Sequence, residues 1–167
     1  WRSTDSPHRQ ADLEKIVARS RGVADGMSKG VQFLFKKNKI EQMAGYGRLV
    51  DSQTVSVTDK EGKETRIQAK SIILATGARS KELPNLRQDG VKIIGYRDAL
   101  ALSAQPQSIV VVGSGAIGSE FAHFYNSIGT KVTLVEFLPY IVPLEDEEVS
   151  KQLERSFKKA GMEVLTS

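Results

Sequence analysis

Three glycines and one carboxylate are the residues of this sequence whose types and spacing best suit chemistry: Gly113-x-Gly115-x-x-Gly118, followed 18 positions later by Glu136. In this pattern the first glycine allows a tight turn. The second lets a pyrophosphate approach the backbone, and the third lets a helix pack closely on a strand. A helix opening behind the turn supplies free N–H groups and a partial positive charge to the phosphates. A carboxylate closing the next strand is placed to accept hydrogen bonds from adenosine ribose hydroxyls. It would also repel a 2′-phosphate, which favours NAD over NADP. A glycine turn that binds nothing is the rival reading, and the flanking strand and helix weigh against it.

The other polar groups carry less. The spacing of Glu120 by itself favours a dull role, complementing the helix dipole; the alternative is that it points towards whatever the nicotinamide meets. His123 lies between Phe121 and Phe124 with no carboxylate at ligand spacing, so it reads as a surface or packed histidine. His8 sits in a polar lead-in, residues 1–9. The run Glu145-Asp146-Glu147-Glu148 follows Pro143 and reads as an acidic helix start, because consecutive helix residues diverge around the axis and cannot converge on a cation. The chain has no cysteine, which excludes disulfides, thiolate metal sites and thiol chemistry carried by these residues. We therefore expect no catalytic or metal-ligating residue within it.

The elements that must position the glycines and Glu136 follow from periodicity. Residues 108–167 read as strand (Ile109–Val112), glycine turn, helix (about Ala116–Ile128) and strand (Lys131–Val135). A second helix follows (about Glu145–Ala160), with Val149, Leu153 and Phe157 inward, ended by Gly161, and a third strand begins at Met162–Leu165. This β-α-β-α-β order implies a parallel sheet with right-handed crossovers. Upstream, Leu13, Ile16, Val17, Val23, Met27, Val31, Leu34 and Phe35 form one face of a long helix from about Gln10 to Asn38. Gly22, Gly26 and Gly30 would line a narrow stripe on it. They imply either close approach of another backbone or a locally weak helix. A short antiparallel meander follows from Glu41, through "TVSVTD" and a turn around Gly62, to "TRIQAKSIILATGA". It feeds an apolar run, Ser71–Ala75, which reads as a central parallel strand covered on both faces. Residues 79–107, with Pro84, Pro106 and a short helical pattern around Arg97–Leu102, read as a connection between two folding units.

The 167 residues are 40% hydrophobic and 26% charged, as in a globular protein. The net charge of +4 is spread along the chain or sits at helix ends such as Lys36-Lys37 and Lys158-Lys159, which argues against a nucleic-acid partner. No apolar run approaches the about 20 residues needed to cross a bilayer, and no secretory segment is visible, so we expect no membrane partner and a cytoplasmic setting. The chain opens on Trp1 and stops as a strand begins, as a piece of something longer would.

Taken together, "GVQFLFKKNKI…GYG", "ATGARSKELPNL" and "VVVGSGAIGSEFAHFYNSIGTKVTLVEFLPYIVP" resemble the middle of the flavin-dependent pyridine nucleotide-disulfide oxidoreductases. "EFLPYIVP" and "ERSFKKAG" are most similar to the members that oxidise dihydrolipoamide. The resemblance runs from about Leu13 to Ser167. It implies an α/β, Rossmann-type three-layer FAD/NAD(P)-binding fold with a small antiparallel β-meander, incomplete at both ends. Residues 1–78 would be the later part of an FAD domain, and residues 108–167 the first half of an NAD domain. Backbone at Gly47 would meet the FAD adenine, and Thr76, Gly77 and Ala78 would pass close to the flavin nucleotide. Gly113, Ser114, Gly115, Ala116, Ile117, Gly118, Ser119 and Glu120 would hold the NAD pyrophosphate, with Glu120 reaching towards the nicotinamide–flavin contact. Glu136 would take the adenosine ribose. The family's first glycine fingerprint, its redox CxxxxC pair and its His–Glu base are not among these residues. The resemblance thus implies part of an enzyme that passes electrons from dihydrolipoamide through FAD to NAD, a homodimer serving a 2-oxoacid dehydrogenase complex on lipoyl-domain substrates. The chain alone would have no turnover. The alternatives are another flavin-dependent disulfide oxidoreductase, or an inert module that binds NAD or ADP.

Overall fold

The computed structural model describes residues 11–167. His8 and the polar lead-in lie outside the described residues. The chain divides into two compact units, one of Ser20–Arg87 and the other of Gln88–Ser167 with the described residues before Ser20.

The long helix α1 spans Leu13–Lys37, with Glu14 in its first turn and Lys36 and Lys37 in its last. Asp12 caps it by accepting from the Lys15 amide (3.1 Å), and the Asn38 side chain donates to the Leu34 carbonyl (2.8 Å) at its other end. The helix is continuous through Gly22, Gly26 and Gly30. A Cβ at any of the three would meet nothing within 4 Å among the described residues, so the stripe is neither a break nor a packed contact here. Val23, Met27, Val31 and Leu34 are exposed along α1, Met27 by 70%.

Strands β1 (Tyr46–Leu49), β2 (Thr54–Thr58) and β3 (Glu64–Gln68) form the antiparallel meander in sequential order. Asp51 turns the first hairpin by accepting from the Gln53 amide, and Asp59 turns the second by accepting from the amides of Glu61 and Lys63. On β2 the enclosed positions are Thr54 and Ser56, while Val55 and Val57 are only partly covered.

Ser71–Ala75 departs from expectation. It has no ladder partner among the described residues, and Ile73 and Leu74 are 90% and 67% exposed. A run that is apolar on both faces becomes a strand only when neighbouring strands supply its hydrogen bonds and layers cover it. This segment has neither.

In the second unit a short helix α2 (Tyr96–Ala99) precedes β4 (Ser108–Val112), α3 (Ala116–Ser127), β5 (Lys131–Val135), α4 (Glu147–Lys159) and β6 (Glu163–Leu165). The strands pair in parallel in the order β4-β5-β6, with Ile109 opposite Val132 and Leu134 opposite Val164. The core joins Ala122 and Tyr125 of α3, Val132 and Leu134 of β5, Ile141, Phe157 of α4, Met162, and Val164 of β6. Burial raises the pKa of the Tyr125 phenol, whose hydroxyl donates to the Ala99 carbonyl at 2.6 Å. Asp146 caps α4 by accepting from the Glu148 amide (3.0 Å), so the acidic run is a helix start as the sequence suggests. Of the three residues expected inward, Leu153 and Phe157 face the core and Val149 does not. Val149 is 54% exposed, whereas Ser150 is buried with Phe157. Ser150 shares the face of Leu153 and Phe157, three and seven residues on, and its hydroxyl donates to the Val142 carbonyl at 3.5 Å.

Candidate functional site: a glycine turn between β4 and α3

The turn begins where β4 runs out of sheet. The Gly113 amide still donates to the Val135 carbonyl (2.8 Å), and its φ of +97° then swings the chain away. A residue with a Cβ is strained in that region, so the first glycine is a backbone requirement. Gly115 is the N-cap of α3 and has an ordinary φ of −58° with no side-chain cap bond. A Cβ there would meet nothing within 4 Å, leaving the floor of the turn open. At Gly118 the reverse holds: a Cβ would lie 1.9 Å from the Gly113 carbonyl oxygen and 3.5 Å from Val111. The third glycine is thus what lets α3 lie against the end of β4. The first amides of a helix have no intrahelical acceptor. Among the described residues no side chain caps them, the arrangement that suits an anion.

Behind the turn lies a network centred on Ser114, which is fully buried. Its amide donates to Glu136 Oε2 (2.8 Å), and its hydroxyl donates to the same oxygen (2.6 Å). The Ser119 hydroxyl of α3 donates to the Ser114 carbonyl at 2.8 Å. From the loop after β5, the Val142 amide donates to both the carbonyl and the hydroxyl oxygen of Ser114, each at 3.1 Å. The Leu138 amide takes the other carboxylate oxygen, Glu136 Oε1, at 3.0 Å. Partial burial works to raise the Glu136 pKa, but hydrogen bonds from the Ser114 hydroxyl and the amides of Leu138 and Ser114 outweigh it. The carboxyl is held below its ordinary value and carries a full negative charge at neutral pH.

The residues singled out from the sequence fall into two groups. Gly113 to Glu120 and Glu136 are brought together at the top of the parallel sheet. Glu120 is exposed and is the fifth residue of α3, beyond the first turn where an acid gains most from the helix dipole. The flavin-side candidates Gly47, Thr76, Gly77 and Ala78 lie in the other unit. Gly47 sits in β1 opposite Val57, and Gly77 has a φ of +77° in the irregular segment after Ser71. Both keep open backbone: a Cβ on either meets nothing closer than 3.9 Å. His123 is exposed on α3. Sequence reasoning missed Val142, a β-branched residue at φ +43° whose amide completes the Ser114 network. Pro139 and Pro143 mark a loop there, but nothing in the residue types signals a positive φ at a valine.

A parallel β-α-β unit with this turn, and with a carboxylate at the end of its second strand, places the second unit among the dinucleotide-binding α/β folds. The chain belongs to the pyridine nucleotide-disulphide oxidoreductase family, which it matches over residues 2–167. It is 48% identical over 155 residues to dihydrolipoyl dehydrogenase from Zymomonas mobilis, an alignment that takes in 93% of this chain and 33% of that protein. It is 48% identical over 153 residues to dihydrolipoyl dehydrogenase from Chlorobaculum parvum, covering 92% of this chain and 33% of that one. The crystal structure of LpdA from Mycobacterium tuberculosis superposes with a TM-score of 0.86 at 30% identity, over 96% of this chain and 36% of that chain. The chain thus spans about a third of the length of the relatives it matches. No helix among the described residues is long and apolar enough to cross a membrane.

Proposed function

We propose that this chain provides the NAD-binding turn and part of the FAD-binding surface of an enzyme that oxidises dihydrolipoamide. The observation that carries the reading is the division of labour among the glycines. Gly113 needs its positive φ, Gly118 has no room for a Cβ, and Gly115, at an ordinary φ, faces open space at the start of the helix. Such a turn accepts a pyrophosphate. The ionised Glu136 beside it favours a free ribose diol over a 2′-phosphate, hence NAD. When bound, NAD supplies a hydride acceptor and FAD a two-electron carrier. The chain's own part is placement. The amides at the start of α3 hold the pyrophosphate, Ser114 to Ser119 shape the turn, and Glu120 is on the open side, where it can face the reacting ring. Gly47 and Thr76–Ala78 would lie along the flavin nucleotide. The sequence contains no thiol, so the dithiol that meets dihydrolipoamide belongs to residues outside these 167. The similarity to dihydrolipoyl dehydrogenases supports the further reading of a cytoplasmic homodimer working on lipoyl domains in a 2-oxoacid dehydrogenase complex.

The test is calorimetric titration of the purified protein with ADP-ribose, beside Gly115→Val. The wild type should bind. The variant, whose side chain enters the space a pyrophosphate needs, should lose at least tenfold in affinity while keeping its circular dichroism spectrum. Equal affinity in the two proteins would remove the turn as the binding site. A visible absorption spectrum separates the second reading, an inert nucleotide-binding module, which the absence of cysteine favours. A flavin band supports the oxidoreductase; ADP-ribose binding by a colourless protein supports the module.

A further inference from the structure

We infer that Ser114 is a positioning residue for cofactor discrimination: its hydroxyl and amide pin one oxygen of Glu136, and so aim the other at the adenosine ribose. The inference rests on the NAD reading of the turn.

The geometry is asymmetric. Glu136 Oε2 receives two hydrogen bonds from one buried residue, at 2.6 and 2.8 Å, whereas Oε1 receives a single amide bond from Leu138 at 3.0 Å. A carboxylate oxygen has two lone-pair sites. Oε2 is therefore saturated by the protein, and Oε1 keeps one acceptor site for a ligand hydroxyl. The Ser114 hydroxyl has one proton, and an ionised oxygen at 2.6 Å is its acceptor. Its orientation is enforced from the other side by the Val142 amide, which occupies the hydroxyl oxygen as an acceptor. Holding that amide in place requires a valine at φ +43°, a conformation that persists only where surrounding contacts over-determine it. The Ser119 hydroxyl on the Ser114 carbonyl ties the same residue to the first turn of α3, where the pyrophosphate would sit. One buried serine thus couples the phosphate end and the ribose end of the cradle.

Removing the hydroxyl takes away the shortest of the three bonds on Glu136 and leaves one amide on each oxygen, which loosens the carboxylate. A mobile carboxylate holds a ribose diol less well and can also swing away from a 2′-phosphate. Both effects reduce the preference for the unphosphorylated ligand. A serine that merely filled space would, when replaced, weaken both ligands alike.

The experiment titrates the wild type, Ser114→Ala, Glu136→Gln and the double variant with ADP-ribose and with 2′-phospho-ADP-ribose. The expected result is a ratio of affinities that falls about tenfold in Ser114→Ala, the scale of one charge-assisted hydrogen bond. In the Glu136→Gln background the serine substitution should change the ratio by less than twofold, because its effect runs through the carboxylate. A ratio unchanged in Ser114→Ala, or a full effect of the serine substitution without Glu136, would overturn the inference while leaving the NAD reading intact. Failure of the wild type to bind ADP-ribose would instead overturn the NAD reading, and the inference with it. If Ser114→Ala does not fold, Ser114→Cys, which keeps the volume and replaces a strong donor with a weak one, gives the same ratio test.

Discussion

At Glu136 a single carboxylate has a structural job, tying the glycine turn to the loop after β5, and in the proposed function a second, presenting charge to a ligand. The structural job has a pH signature. Burial alone would push the carboxyl up, but the Ser114 hydroxyl and the amides of Leu138 and Ser114 hold it down, so the folded state binds a proton less readily than the unfolded chain. Stability from this group is then fully present above the ordinary carboxylate range and is lost as pH falls through the lower folded value. The difference in melting temperature between wild type and Glu136→Gln should be constant near neutrality and close in acid. A gap that widened on acidification would mean that burial, not hydrogen bonding, governs the group. Glu136 itself was legible from its distance to the glycines. Its protein partners were not: two of the bonds come from backbone amides, of Leu138 and Ser114, that every residue type possesses, and the third from a serine hydroxyl whose type does not name its acceptor.

Among the elements, the junction of β4 and α3 is the most sharply constrained. A methyl at Gly118 would be 1.9 Å from a carbonyl oxygen of the same turn, and backbone cannot move aside as a flexible side chain can. Gly118→Ala should therefore force α3 away from β4 and destabilise the unit by about 1–3 kcal/mol, the usual cost of overpacking. Chemical denaturation would show it as a lower midpoint; an unchanged midpoint would mean that α3 is free to shift. The contrast with Gly115 is instructive, since the same substitution there meets open space and should act on binding, not folding. The helix α4 shows how far pattern reading reaches. Its start and end were readable from Pro143, the acidic run and Gly161, all local signals. The side turned to the core differs at one residue: Val149 suits a core better than Ser150 by composition, yet Ser150 is the buried one, with its hydroxyl on the Val142 carbonyl.

Across the whole molecule, the buried core belongs to the β4-β5-β6 unit, while α1 and the segment after Ser71 leave large apolar side chains in solvent. Exposed apolar surface of this kind favours association. Sedimentation velocity should show a weight-average mass that rises with protein concentration; a single monomeric species over a hundredfold range would mean that these side chains find cover within the chain.

What the sequence by itself determined is local or nearly so: helix and strand periods, the acidic start of α4 and its end at Gly161, and the glycines that admit a positive φ or a close approach. Each depends on the conformational preferences of a few adjacent residues. The tertiary structure decided whatever depends on a partner distant in the chain. It left Ser71–Ala75 without a strand ladder, although its composition suits one, and it drew Val142 into a strained conformation by placing Ser114 within hydrogen-bonding reach. It also converted Glu136 from a free acid at a strand end into a pinned and aimed one. Hydrogen-bond ladders and buried networks need two segments to meet, and a residue's type says what it can bond to but not which partner arrives.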